Sequence, residues 1–367
     1  MLVASKRSSY IDQWRGLSVL LVIANHLILF RFNGALLIDK GTAFLPKVRY
    51  KILWFVDLWG INAGMVGVCI FFVISGYLIT YLMLKEEDQF GLVSLRAFYA
   101  RRIFRIIPAL LLYILGICLL NAAGAIQTYR GEILASSLFL CNTTAVTCGY
   151  HFNQLWSLAV EEQFYLCWPL LFIIARRWRI WLVSTAIIAA AVLACIPATR
   201  IHGWLNNGEC FACICAGVLY ALSVRARAWL DVTRKLPTWM WAALLAFVIP
   251  FLRTRWIALD APIMLALPPV IVATVLARSG SMVPSMAGRV LRGIGLMSYS
   301  LYLWQGIFTW YPQTYMARWF AYGSTAGIAI AWLSYRYVEI HFIRLGHQLS
   351  RRLQKAVVPA AISVAPQ

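Results

Sequence analysis

The chain has 367 residues, 62% of them hydrophobic and only 13% charged, with a mean hydropathy of +0.75. These values exclude a soluble globular domain and predict an all-α, polytopic integral membrane bundle. The net charge of +20 would suggest nucleic acid in a soluble protein, but the basic residues gather between apolar runs, as the positive-inside rule requires, so a lipid bilayer and no nucleic acid is the expected partner.

In chain order, apolar runs able to cross or nearly cross the hydrocarbon core lie at 15–32, 58–84, 106–123, 156–175, 180–197, 209–224, 238–252, 260–277, 297–311 and 321–338. That gives about ten transmembrane helices, with 238–252 and 297–311 short enough to be half-buried or re-entrant. Most Lys and Arg fall in the N-terminus and in 85–105, 176–179, 225–235, 278–292 and 336–355. Both termini are therefore expected in the cytoplasm, with 33–57, 124–155, 198–208, 253–259 and 312–320 outside. One membrane domain is expected over 1–355 and a loose tail over 356–367. The first apolar run is too long for a signal peptide and lacks a small-residue cleavage site, so it reads as a retained span.

That first run, "YIDQWRGLSVLLVIANHLILF" over 10–30, carries Asp12, Arg15 and His26. At helical spacing Arg15 and His26 differ by about 20° around the axis and are roughly 16 Å apart along it. Asp12 and Arg15 fit an interfacial ion pair. A titratable imidazole at the depth of His26 is costly unless it faces a protein interior or water, which makes it the candidate base; a neighbouring helix satisfying a neutral histidine is the plainer alternative.

"FFVISGYLIT" over 71–80 brings Ser75 and Gly76 as small residues for close helix packing. Next, "FYARRIFRIIPAL" over 98–110 holds Arg101, Arg102 and Arg105 at helical spacing. They serve either as an anchor on anionic headgroups or as a clamp for the phosphates of coenzyme A. "QLWSLAVEEQFYLCWPLL" over 154–171 carries adjacent carboxylates. Glu161 lines up with Leu158, Tyr165 and Trp168 and is read as the inward one, Glu162 as lying beside Phe164 and the lipid-facing stripe; the N-terminal end of a helix also favours either charge without further function. The nine cysteines show no zinc spacing and no metal is expected. Cys141 and Cys148 could pair only in an oxidising compartment.

Together, the Arg15-x10-His26 arrangement, "FFVISGYLIT", the R-x-x-R of Arg102 and Arg105 followed by Pro108, "WSLAVEEQFY" (156–165) and "SYSLYLWQ" (298–305) resemble the acyltransferase 3 family, in the family's own order. The resemblance covers about residues 10 to 340. It implies a multi-pass protein of the bacterial inner (cytoplasmic) membrane that moves an acyl group, usually acetyl, from acetyl-CoA (acyl-CoA) to a hydroxyl of a glycan or glycolipid. By position it implies His26 as the catalytic histidine, Arg15 as the motif arginine, Arg102 and Arg105 as the donor pair, with Arg101 beside them, and Glu161 as the motif glutamate.

Acceptors implied by the family include exopolysaccharide, O-antigen and lipochitooligosaccharide nodulation factors. Some members attach a periplasmic esterase-like domain; with 367 residues, acceptor handling is expected from the membrane domain or a partner. His26 would take the acceptor's hydroxyl proton as it attacks the thioester, with Glu161 orienting the imidazole. The rival reading is a proton-coupled transporter, since buried His, Arg and Glu suit that task too. Against it, no inverted repeat is visible.

Overall fold

The computed structural model describes residues 9–38, 46–143, 148–149, 151–194, 204–223, 237, 239–240, 243–244, 267–276, 286–309 and 316–362. Among the described residues every regular element is helical. They are α1 (Ser9–Ile38), α2 (Pro46–Phe90), α3 (Leu95–Ala122), α4 (Arg130–Ser137), α5 (Leu155–Ile174), α6 (Arg179–Ala194) and α7 (Trp204–Leu222). There follow α8 (Met286–Leu296), α9 (Ser298–Thr309), α10 (Met316–Leu333), a π-helical turn (Ser334–Glu339) and α11 (Ile340–Ile362). The expected span 238–252 and the connections 225–235 and 253–259 fall wholly or largely outside the described residues.

Among the described residues three helical stretches are long and apolar enough to cross a membrane: Gly64–Phe90, Leu95–Ala122 and Leu155–Ile174. As helices they make most of their backbone hydrogen bonds internally, the condition for entering hydrocarbon. Pro108 and Pro169 lie inside α3 and α5, and such prolines are tolerated in membrane helices.

Helix ends differ from the sequence expectation in informative ways. Most of the stretch read as the outer connection 33–57 is helix, since α1 runs to Ile38 and α2 opens at Pro46, where a proline at the first helical position loses no hydrogen bond. Residues 85–105, read as a connection, are the end of α2, a short turn and the start of α3, because Ser94 caps α3 by accepting from Ala97 N at 3.3 Å. At the other end α11 continues past Lys355 to Ile362.

The chain divides into two compact units. The first comprises Met1–Ile79, Ile180–Ser298 and Thr309–Arg318. Its helices meet backbone to backbone. A Cβ on Gly16 of α1 would strike the Leu291 carbonyl of α8, and one on Gly295 of α8 would strike the Asp12 carbonyl of α1. Gly76 and Gly217 make the same reciprocal contact between α2 and α7, against Ile214 and Val73, which is the packing role expected of the small residues in 71–80. Polar bonds tie the start of α1 in place: Tyr10 donates to the Thr274 carbonyl at 2.8 Å and Gln13 Nε2 to that of Gly288 at 3.0 Å.

The second unit comprises Thr80–Arg179, Tyr299–Phe308 and Trp319–Gln367. Its charged elbow is closed by two acidic residues at the end of α2. Glu86 accepts from Ser94 N at 3.0 Å and Arg101 at 3.4 Å, and Arg101 also donates to Ser350 at 2.5 Å. Glu87 accepts both Arg179 terminal nitrogens at 2.7 and 3.0 Å, with Arg176 at 3.0 Å. Arg179 also donates to the Phe172 carbonyl at 2.6 Å and lies 3.4 Å over the Phe172 ring. At the π-turn, buried Glu339 accepts from Ser300 at 2.9 Å.

Candidate active site

Within the first unit, α1 presents Arg15 and His26 as half-buried groups. Arg15 precedes Gly16, at the close contact with α8. His26 follows Asn25, whose side chain lies against Gly64 of α2, so that a Cβ there would come within 2.5 Å. Asp12, read as an interfacial partner of Arg15, is buried at 1% exposure, and Arg292 Nε of α8 also lies 3.8 Å from its carboxylate. The i,i+3 spacing could not anticipate a basic partner from another helix.

Within the second unit, the start of α3 and the first two turns of α5 bring a basic pair to an acidic pair. The Arg102 guanidinium stands 4.7 Å over the Tyr165 ring and 5.8 Å from that of Phe98, a cation–π arrangement that fixes a charge without neutralising it. Tyr165 donates to Glu161 one turn earlier on the same face. Glu162 is also turned inward: its Oε1 is buried without a hydrogen-bond partner, and the charges of Glu161, Arg102 and Arg105 act on it. Both carboxylates thus have an inward atom, where the helical wheel offered a choice between them.

Arg102 and Arg105 are half-buried, and among the described residues neither is ion-paired, whereas Arg101 is taken by Glu86 and Ser350. A positive field extends to α11, where partial desolvation and the charges of Arg101, Arg105, Arg351 and Arg102 push the His347 imidazole down. Two unpaired guanidiniums in such a field suit an anion with several oxygens, such as a phosphate. Among the described residues no group of three or more His, Cys, Asp or Glu side chains could hold a metal ion.

Other singled-out groups are structural tethers. Tyr299 donates to the Ile106 carbonyl at 3.0 Å, and Tyr302 to that of Gln154 at 2.7 Å while bonding Ser157. Cys141 and Cys148 form a disulfide in the connection between α4 and α5. Nearby, burial pushes the His151 imidazole down, against the opposing pull of the Glu132 charge. Tyr165, as the group joining Arg102 to Glu161, was the feature the sequence left without a role, although its i,i+4 spacing from Glu161 placed it on the right face.

The family described as an acyltransferase domain, acyltransferase 3, matches residues 8–336, and the chain belongs to it. The chain is 28% identical over 361 residues to a Staphylococcus aureus protein named "Putative O-acetyltransferase", covering 84% of this chain and 59% of that relative. It is 31% identical over 181 residues to the peptidoglycan O-acetyltransferase OatA of Listeria monocytogenes, covering 46% of this chain and 24% of that protein. The chain therefore spans about three fifths of the length of the first of these relatives. No solved structure matches it.

Proposed function

We propose that the protein is a multi-pass O-acetyltransferase of the bacterial cytoplasmic membrane, with about ten spans and both termini in the cytoplasm. It moves an acetyl group from acetyl-CoA to a hydroxyl of a glycan or glycolipid. The observation that carries this reading is the pair Arg102 and Arg105, free of ion pairs among the described residues and adjoining the carboxylates of α5, in a chain of the acyltransferase 3 family. Membership alone would leave the donor open; a twin-guanidinium site selects a phosphate-bearing one.

In this reading Arg102 and Arg105 hold the coenzyme A phosphates. His26 accepts the proton of the acceptor hydroxyl as its oxygen attacks the thioester carbonyl. The tetrahedral adduct then collapses with cleavage of the carbon–sulfur bond, and the imidazolium returns its proton to the departing thiolate, leaving an O-acetyl ester and coenzyme A. Glu161 is the second catalytic group. The disulfide fits a connection facing the oxidising side of the membrane. Peptidoglycan is an acceptor to test, because the Listeria relative is named for it, beside chitooligosaccharides and exopolysaccharide.

The test uses full-length protein in nanodiscs with acetyl-CoA and this acceptor panel, following free thiol and acceptor mass. Wild type should add one acetyl group to an acceptor, and His26→Ala should lower the rate by roughly 10²- to 10⁴-fold. Equal product formation by the variant would remove His26 as the base, and acetylation of no acceptor would favour the transporter reading.

A further inference from the structure

At the start of α5 a group of buried polar atoms is only partly satisfied, and the pattern of what is missing is chemically specific. Tyr113 of α3 is fully buried and donates to the carbonyl of His151. It accepts from Gln154 Nε2 at 2.8 Å, and the same nitrogen reaches the carbonyls of His151 at 3.1 Å and Leu303 at 3.4 Å. Carbonyl oxygens can only accept, so the amide nitrogen of Gln154 must face them. Its oxygen is thereby fixed on the other side, where Oε1 is buried without a partner although the residue is only 2% exposed.

Trp304 of α9 packs edge-on against Tyr113 with ring centroids 5.5 Å apart, and the absence of a side chain at Gly116 makes room for the far edge of its six-membered ring. The residue is 7% exposed and its indole Nε1 is likewise buried without a partner. The third orphan is Nδ1 of His151, whose carbonyl oxygen is already used by Tyr113 and Gln154. Buried polar atoms are nearly always paired, since each unpaired one keeps its desolvation penalty uncompensated. Three such atoms on residues that adjoin one tyrosine need a common explanation.

An indole N–H can only donate and an amide oxygen can only accept. Gln154 and Trp304 both touch Tyr113, and a single group that answered both would accept and donate at once. A phosphate or carboxylate fails at Gln154, and an ammonium fails at Trp304. A hydroxyl satisfies both, and a neutral imidazole, the form that burial favours at His151, can serve as either partner.

We infer that Trp304 Nε1, Gln154 Oε1 and His151 Nδ1 bind a hydroxyl of the carbohydrate acceptor. The inference rests on the acetyltransferase reading for the identity of the ligand. An ordered water offers the same hydrogen-bonding chemistry, and the experiment separates the two.

Trp304→Phe deletes the unpaired N–H and keeps the ring; His151→Leu deletes the imidazole and keeps the carbonyl that Tyr113 and Gln154 use. Full-length wild type and both variants are measured in nanodiscs for thermal midpoint without ligand, for binding of chitotetraose and of a disaccharide peptidoglycan fragment without acetyl-CoA, and for acceptor and donor KM. Each variant should weaken saccharide binding and raise acceptor KM about 5- to 10-fold, the loss of one good hydrogen bond, with donor KM unchanged. The ligand-free midpoint of Trp304→Phe should stay level or rise, because no resident partner is lost.

A midpoint that falls while saccharide binding is unchanged would identify the resident group as water and overturn the inference. Transfer with an unaltered acceptor KM in both variants would overturn it and leave the acetyltransferase reading standing. Saccharide binding sensitive to Trp304→Phe without any acetyl transfer would do the reverse. Wild type that neither binds nor acetylates either saccharide would remove both.

Discussion

Two polar regions of the second unit are built from similar residue types and differ in one respect. At the elbow formed by the end of α2, the beginning of α3 and Arg179, two carboxylates are matched: Glu86 to Arg101, and Glu87 to Arg179 and Arg176. Further along α3, Arg102 and Arg105 are not ion-paired among the described residues, and around Tyr113 three neutral polar atoms lack partners. Desolvating a charge or dipole is costly in either place. Where the chain supplies the partner, the region is framework; where it does not, the proposals above assign the partner to a ligand.

The largest expected effect breaks this contrast from the open side. Replacing both Arg102 and Arg105 by Ala should raise the KM for acetyl-CoA by about 100-fold, a loss of roughly 3 kcal/mol, while the thermal midpoint stays within about 2 °C of wild type. Initial-rate kinetics at varied donor concentration and a melt in detergent read both quantities. A large fall in midpoint with an unchanged KM would assign the pair to the framework.

From the closed side, Arg179→Leu leaves the mostly buried Glu87 with only the exposed Arg176. Removing one partner of such a pair costs about 3 kcal/mol, which corresponds to a midpoint lower by about 5 °C or more. Donor and acceptor KM of the folded protein should be unaltered. A changed donor KM would show that the elbow shares in binding.

The smallest effect sharpens the contrast through pH. The folded-state pKa of His151 lies below its unfolded value of about 6.5 because of burial, opposed by Glu132. Below about pH 6.5 the unfolded chain therefore binds more protons, so the stability this group contributes is present above that pH and is lost as pH falls towards the folded value. Between pH 7 and 5.5 the wild-type midpoint should fall by about 1 °C more than that of His151→Leu, a small difference because the imidazole is only half-buried. Parallel melts across that range decide it; identical pH dependence in the two proteins would count against a depressed imidazole.

The sequence carried the helical class, the close packing at Gly76 and the common face of Glu161 and Tyr165, because these follow from hydropathy and from the 3.6-residue period. What it could not carry is which sector of a helix a neighbour covers. Arg101, Arg102 and Arg105 looked alike by spacing, yet Glu86 and Ser350, at separations of 15 and 249 residues, claim only Arg101. Glu162 pointed to lipid on the wheel, while its Oε1 is buried under the influence of α3. The unfilled bonds of Gln154 and Trp304 were invisible, since an unmet hydrogen bond is a property of surroundings and not of composition.

The reciprocal contacts at Gly16–Gly295 and Gly76–Gly217 also bear on how the first unit meets bilayers of different thickness. Helices that touch through their side chains can slide by exchanging rotamers, whereas backbones seated against each other at glycine have no such slack. α1 with α8, and α2 with α7, should each answer a thinner or thicker membrane by tilting as a welded pair, leaving the lipid to deform at their ends. The height of His26 on α1 relative to α8 would then be insulated from the lipid composition of the cell.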